Sequence, residues 1–139
     1  MKAIITLCAI VLFSVGVHAQ NAMKIWNQTS CTYIVQMYAV PAGNCTASPF
    51  VVNYNVSGGA SVGAIAPAGY EWIYAEITSF PYCTGGALGI APGADIMSGC
   101  IGCTWGAPSS VSGPTFGCNG CQPFVTAEWH TCNQFLHIF

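Results

Sequence analysis

The residues of this sequence that are best suited to chemistry are its cysteines. Of nine cysteines, all but Cys8 follow residue 20, and four of them form two C-x-G-C motifs, 100–103 and 118–121. Two such motifs can hold one Zn²⁺ or iron ion tetrahedrally, because each motif places two sulfurs on one turn. Disulfides are the competing interpretation, and the compartment of the protein decides between the two.

The amino terminus predicts export. Lys2 precedes an apolar stretch over 3–13, and small residues at Val17 and Ala19 are typical of a signal peptide cut after residue 19. The stretch is shorter than the roughly 20 residues of a membrane span. We therefore expect one mature secreted domain, 20–139, with no transmembrane segment. It would reside in the periplasm, at the cell surface or outside the cell.

An exported location favours disulfides over metal binding at the cysteines. Each disulfide contributes about 2–4 kcal/mol by restricting the unfolded chain, and eight cysteines allow about 105 connectivities, so the pairing stays open. A zinc site at Cys100, Cys103, Cys118 and Cys121 is the less favoured alternative, and we expect no resident cofactor. The cysteines that we expect in disulfides are Cys31, Cys45, Cys83, Cys100, Cys103, Cys118, Cys121 and Cys132.

A second candidate metal site lies near the carboxyl terminus. If 132–133 forms a two-residue hairpin turn, Glu128 faces His137, and His130 lies on the same face of the hairpin. Two histidines and one carboxylate are a recognised ligand set for a metal ion. We favour the simpler interpretation, in which these three side chains occupy a wet sheet face without a metal and catalyse nothing.

Exposed aromatic residues are the third candidate for function. Trp72 and Tyr74 are two residues apart in a predicted strand, so alternation places them on one face, where they could stack on a sugar or another small ligand. Trp105 is a further candidate from the loop-rich region. Burial in the core of a sandwich is the competing explanation for such aromatic residues.

The elements that would position these residues are short strands. Frequent glycine and proline exclude long helices, and β-branched and aromatic residues fill the segments between them. We predict an all-β fold: a small disulfide-stapled β-sandwich, or a partly closed barrel, with a Gly/Cys-rich loop region over about 81–122. The predicted strands are 31–40, 50–56, 61–66, 71–80, 124–131 and 134–139.

The composition limits the possible partners. Only 4 % of residues are charged, and lysine and arginine together number two. No basic surface for nucleic acid can form. A charge-poor surface lacks the repulsion that keeps free proteins apart, which favours a protein partner or self-association. We expect a non-enzymatic structural or interaction subunit of a cell-envelope or extracellular assembly. The alternative is a secreted glycan- or small-ligand-binding module that uses exposed aromatics.

The last predicted strand, 134–139, is a candidate for the contact with a partner. It is strongly apolar and ends the chain, and a terminal strand at a sheet edge can accept a strand from another protein. In that case Leu136→Lys or Ile138→Pro would impair assembly. The competing interpretation places this strand in the centre of a sheet, where the same substitutions would unfold the domain.

Overall fold

The computed structural model describes residues 22–79, 87–92, 108–114, 121, 124–130 and 135–139. Strands make up 67 % of them, and no helix occurs in this part of the chain. Two sheets pack face to face, so the predicted all-β sandwich is confirmed, and the sheets do not close into a barrel. Two short strands, β6 and β7, lie inside the region that was predicted to be a loop.

Five strands form the larger sheet, in the order β4-β1-β9-β8-β7, and four form the smaller sheet, in the order β3-β2-β5-β6, within the described residues. Neighbouring strands are antiparallel, except that β1 and β9 are parallel. The strands are β1 Ala22–Asn27, β2 Tyr33–Pro41, β3 Phe50–Val56, β4 Ser61–Ile65, β5 Tyr70–Ser79, β6 Leu88–Ile90, β7 Ser110–Pro114, β8 Phe124–His130 and β9 Phe135–Ile138.

The core lies between the two sheets and follows the two-residue period of the strands. In β2 every second side chain from Tyr33 to Ala39 is buried, and the same alternation occurs in β1, β8 and β9. Ile25 and Leu136, from the centre of the larger sheet, are fully buried. Apolar burial of about 25 cal/mol per Å² makes this interior the main source of stability.

The carboxyl-terminal strand is central, not at an edge. β9 pairs with β1 on one side and with β8 on the other, and Leu136 and Ile138 are fully buried. The edge interpretation of 134–139 is therefore wrong. The reason is β1, a strand that the sequence analysis did not predict, which lies alongside β9 and covers its backbone.

A β-bulge in β5 changes which side chains face the core. Ile73 is skipped in the pairing between β5 and β2, both fully described strands. Trp72 therefore turns into the core, where it is 7 % exposed, while Ile73 packs with Tyr74 on the outer face. An extra residue in a strand reverses the alternation beyond it. The expectation that Trp72 and Tyr74 share a face is therefore wrong.

A buried asparagine ties the end of β1 to the end of β3. The Asn27 side chain is fully buried, and its Nδ2 donates to the carbonyl oxygens of Cys31 (2.6 Å), Val56 (3.0 Å) and Ser57 (3.1 Å). Its Oδ1 accepts hydrogen bonds from the N–H of Thr29 (3.0 Å) and from the hydroxyl of the same residue (2.7 Å). Every polar atom of this amide is thus satisfied inside the protein, as burial requires.

The turn that follows β3 depends on two glycines. A Cβ at Gly58 would lie 2.6 Å from the backbone of Ser30, so no larger residue fits there. Gly59 has a φ of 72°, which glycine adopts without strain. Its N–H donates to the carbonyl of Thr29 at 3.0 Å. This turn, which is hydrogen-bonded to the segment that follows Asn27, connects β3 of the smaller sheet to β4 at the edge of the larger sheet.

Candidate interaction surface

The outer face of the larger sheet carries a group of aromatic and histidine side chains. Inner residues of β1, β8 and β9 are buried, so the alternate residues point away from the core. We call this group the aromatic face. It consists of Lys24 and Trp26 from β1, Glu128 and His130 from β8, and Phe135, His137 and Phe139 from the end of the chain.

The rings of the aromatic face pack against one another. Trp26 and His137 are cross-strand partners whose ring centroids are 4.9 Å apart, with planes inclined by 10°. That separation matches the spacing of about 4.8 Å between strands, so these two rings stack on each other across the pair of strands. Phe139 lies 4.6 Å from His137, and Phe135 lies 5.8 Å from Trp26. Together the rings form a ridge.

His137 lies at the centre of the ridge. Burial among the rings lowers its pKa below the ordinary value; the attraction of Glu128 opposes that shift, and the repulsion of His130 adds to it. The Nε2 atom of His137 is buried and has no hydrogen-bond partner in the described structure. In the folded protein this histidine therefore serves as an aromatic ring within a mostly apolar stack.

The predicted register of the terminal hairpin is confirmed. Glu128 pairs with His137, and His130 pairs with Phe135. The carboxylate of Glu128 lies 3.7 Å from Nε2 of His130, and both side chains are about half exposed, at 40 % and 45 %. In the described part of the chain, no three histidine, cysteine, aspartate or glutamate side chains lie close enough to hold a metal ion. The pair can act as a polar border of the ridge.

The cysteines that the structure describes are in disulfides. Cys31, just before β2, is bonded to Cys121, with Cα atoms 5.4 Å apart, and Cys45 is also disulfide-bonded. Because a cysteine in a disulfide cannot be a thiolate ligand, the zinc alternative loses one of its four ligands. The cysteines that lie outside the described residues are Cys8, Cys83, Cys100, Cys103, Cys118 and Cys132.

The predicted aromatic binding residues do not come together. Trp72 belongs to the core, and its Nε1 is buried with no hydrogen-bond partner in the described structure. Tyr74 lies on the outer face of the smaller sheet, 5.4 Å from the ring of Tyr38. Trp105 lies outside the described residues. A ligand platform built from Trp72 and Tyr74 is therefore not available.

Tyr38 and its neighbours form a hydrogen-bonded cluster around Tyr74. The Tyr38 hydroxyl lies within donating distance of Gln36 Oε1 (2.7 Å) and Glu76 Oε2 (3.1 Å). Burial, and then the neighbouring Glu76 carboxylate, raise the pKa of Tyr38. Tyr74 packs over Gly89, where any Cβ would collide with its ring. These groups are engaged with one another and serve chiefly to order the smaller sheet.

Sequence reasoning missed the residues that matter most on the aromatic face. Trp26 lies in the short segment Ala22–Asn27, where the alternation of Lys24, Ile25 and Trp26 is a weak strand signal next to the predicted signal peptide. The alternation of Phe135, His137 and Phe139 was visible in the sequence. The partner strand β1 was not predicted, so the stack could not be inferred.

Comparison with protein-family models, with curated proteins and with solved structures finds no match for this chain. In the described residues no helix is long and apolar enough to cross a membrane.

Proposed function

We propose that this chain is an exported, non-enzymatic interaction protein that binds a protein partner of a cell-envelope or extracellular assembly through the aromatic face. The observation that carries the proposal is the ridge of packed rings around His137. Interfaces between proteins typically combine an aromatic centre with a polar rim. Here Lys24, Glu128 and His130 supply that rim.

The orientation of the rings favours a protein over a glycan. The C–H groups of a sugar pack on the face of an aromatic ring, where the electron density is negative. In the ridge, the Trp26 face that looks toward β9 is already covered by His137. The Lys24 ammonium lies 5.9 Å from the centroid of the same ring, and Phe139, which is 39 % exposed, offers a contact that suits an apolar protein surface. A secreted glycan-binding module is therefore the less favoured reading of the same residues.

The disulfides support the exported location. Such bonds persist in oxidising compartments and are rare in the cytosol. The Cys31–Cys121 bridge links residues 90 positions apart in the chain. A bond that closes so long a loop compensates for the few ion pairs that a chain with 4 % charged residues can form.

A matched pair of substitutions tests the proposal. Phe139→Ser alters the aromatic face, and Val51→Ser alters the smaller sheet; the two side chains are 39 % and 41 % exposed. Immobilised mature protein is exposed to solubilised envelope and extracellular proteins of the native host. We expect Phe139→Ser to lose a protein retained by both the wild type and Val51→Ser. Equal retention by all three forms, or retention of polysaccharide alone, would contradict the proposal.

A further inference from the structure

The outer edge of β4 exposes a regular row of backbone groups. The N–H of Asn27 donates to the carbonyl of Ala60 at 2.9 Å, which fixes the phase of the antiparallel ladder between β1 and β4. Hydrogen-bonded pairs alternate with non-bonded pairs in such a ladder. The backbone groups of Val62 and Ala64 therefore bond to β1, while those of alternate residues point away from it. The residues that point outward are Ser61, Gly63 and Ile65.

This edge lacks the devices that normally protect a strand from pairing. Within the described residues no strand covers the outer side of β4, and its five residues include neither a charge nor a proline. Ile65 is 70 % exposed, and a side chain added at Gly63 would meet no atom within 4 Å. The opposite edge of the same sheet, β7, ends at Pro114. Natural edge strands are usually short, charged or interrupted.

We propose that β4 pairs antiparallel with β4 of a second copy of this chain, about a two-fold axis at Gly63. Gly63 of one copy then faces Gly63 of the other, and Ser61 faces Ile65. All three positions direct their backbone groups outward, so this register forms about six hydrogen bonds between the copies. The two larger sheets join into one continuous sheet, and the same residues contribute from both sides, as a two-fold interface requires.

The side chains fit the same register. The Trp26 ring is stacked on His137 toward β9, so its other face is turned toward β4, where its cross-strand partner is Ser61. Ser61 and Gly63 are small, and the Lys24 ammonium lies over the Trp26 ring, 5.9 Å from its centroid. The dimer places Ile65 of the second copy beside Ser61, whose small side chain leaves room for it next to Trp26. The most exposed large apolar side chain of the described residues thereby loses its contact with water.

Electrostatic repulsion does not oppose this arrangement. Lys24 is the cross-strand partner of Gly63 and is the nearest charged residue in the pairing. Three strand spacings separate the two Lys24 backbones in the dimer, or about 14 Å. That distance exceeds the Debye length of about 8 Å at physiological salt. Like charges at this separation contribute little.

The inference goes beyond the proposed function, because it concerns the sheet edge and a second copy, whereas the proposed function concerns the ridge and a different protein. The first test is sedimentation velocity of the purified, oxidised mature chain over a range of concentrations. We expect a reversible dimer at micromolar concentration. A monomer throughout the range would overturn the inference and leave the binding experiment with Phe139→Ser unaffected.

Charge substitutions at the symmetry point test the register. Gly63→Lys and Gly63→Glu each place two like charges opposite one another, which we expect to weaken the dimer roughly tenfold or more. An equimolar mixture of the two variants regains a dimer that contains one copy of each. Ser110→Lys, on an exposed position of the opposite edge strand β7, is the control and leaves the dimer unchanged. A dimer that persists in Gly63→Lys, or a mixture that fails to associate, would overturn the inference.

Amide hydrogen exchange of the wild type tests the pairing through β4 without any variant. The amides of Ser61, Gly63 and Ile65 bond only across the dimer, so their protection rises with protein concentration. Those of Val62 and Ala64 bond to β1 in every copy, so their protection stays constant. Equal responses from the two sets of amides would contradict pairing through β4.

Discussion

Replacing Asn27 by aspartate removes one donor group and keeps the shape of the side chain. In Asn27→Asp, an oxygen stands where Nδ2 now donates to the carbonyls of Cys31, Val56 and Ser57. The side chain is fully buried, so water cannot replace the lost hydrogen bonds. Each buried group left without a partner costs about 1–3 kcal/mol. We therefore expect a loss of about 3–5 kcal/mol in the free energy of unfolding, against a typical total of about 5–15 kcal/mol.

Urea denaturation of the oxidised protein at neutral pH, followed by tryptophan fluorescence, measures this loss. Asn55→Asp is the matched control, because it makes the same chemical change at an exposed position of β3. We expect the control to lie within about 0.5 kcal/mol of the wild type. The deficit of Asn27→Asp shrinks in acid, where a protonated carboxyl can donate. A loss below about 1 kcal/mol at neutral pH would refute the reasoning about the buried amide.

Three further predictions follow from the larger sheet. Leu136→Lys buries a charge in the core, so we expect no cooperative thermal unfolding transition; a normal melting temperature would contradict the central position of β9. His137 has a lowered pKa in the folded state, so the unfolded chain binds its proton first as the pH falls. Stability therefore declines below about pH 6.5 and stops declining beneath the folded pKa. Unfolding free energies across this range should show a smaller decline in His137→Gln, and identical declines would argue against a buried histidine. Glu128→Ala and His130→Ala change stability by about 0.5 kcal/mol or less, because both side chains are half exposed; a larger change in denaturant unfolding would indicate a structural role.

The sequence predicted an element correctly where patterns within that segment determine its structure. The register of β8 and β9 agrees with the turn predicted at 132–133 and with the alternating side chains, so the pairing of Glu128 with His137 was predictable. The prediction of which β5 side chains share a face is wrong at Ile73, because the bulge arises in the pairing with β2. Alternation within one strand carries no information about such an insertion.

The aromatic face shows the same limit. His137 was placed on one face with Glu128 and His130, but the stack also needs Trp26 from β1, and that contact joins the two ends of the domain. Parallel pairing between the first and last strands is a property of the whole fold. A pattern within either segment does not encode it.

Site-specific photo-crosslinking in the native host tests most directly whether the aromatic face is the binding surface. A photoreactive phenylalanine analogue replaces Phe139 in one form and Val51 in the other, two positions of nearly equal exposure on different sheets. We predict a specific covalent adduct with one protein from position 139 and none from position 51. An adduct from position 51 alone, or no protein adduct from position 139, would contradict the account.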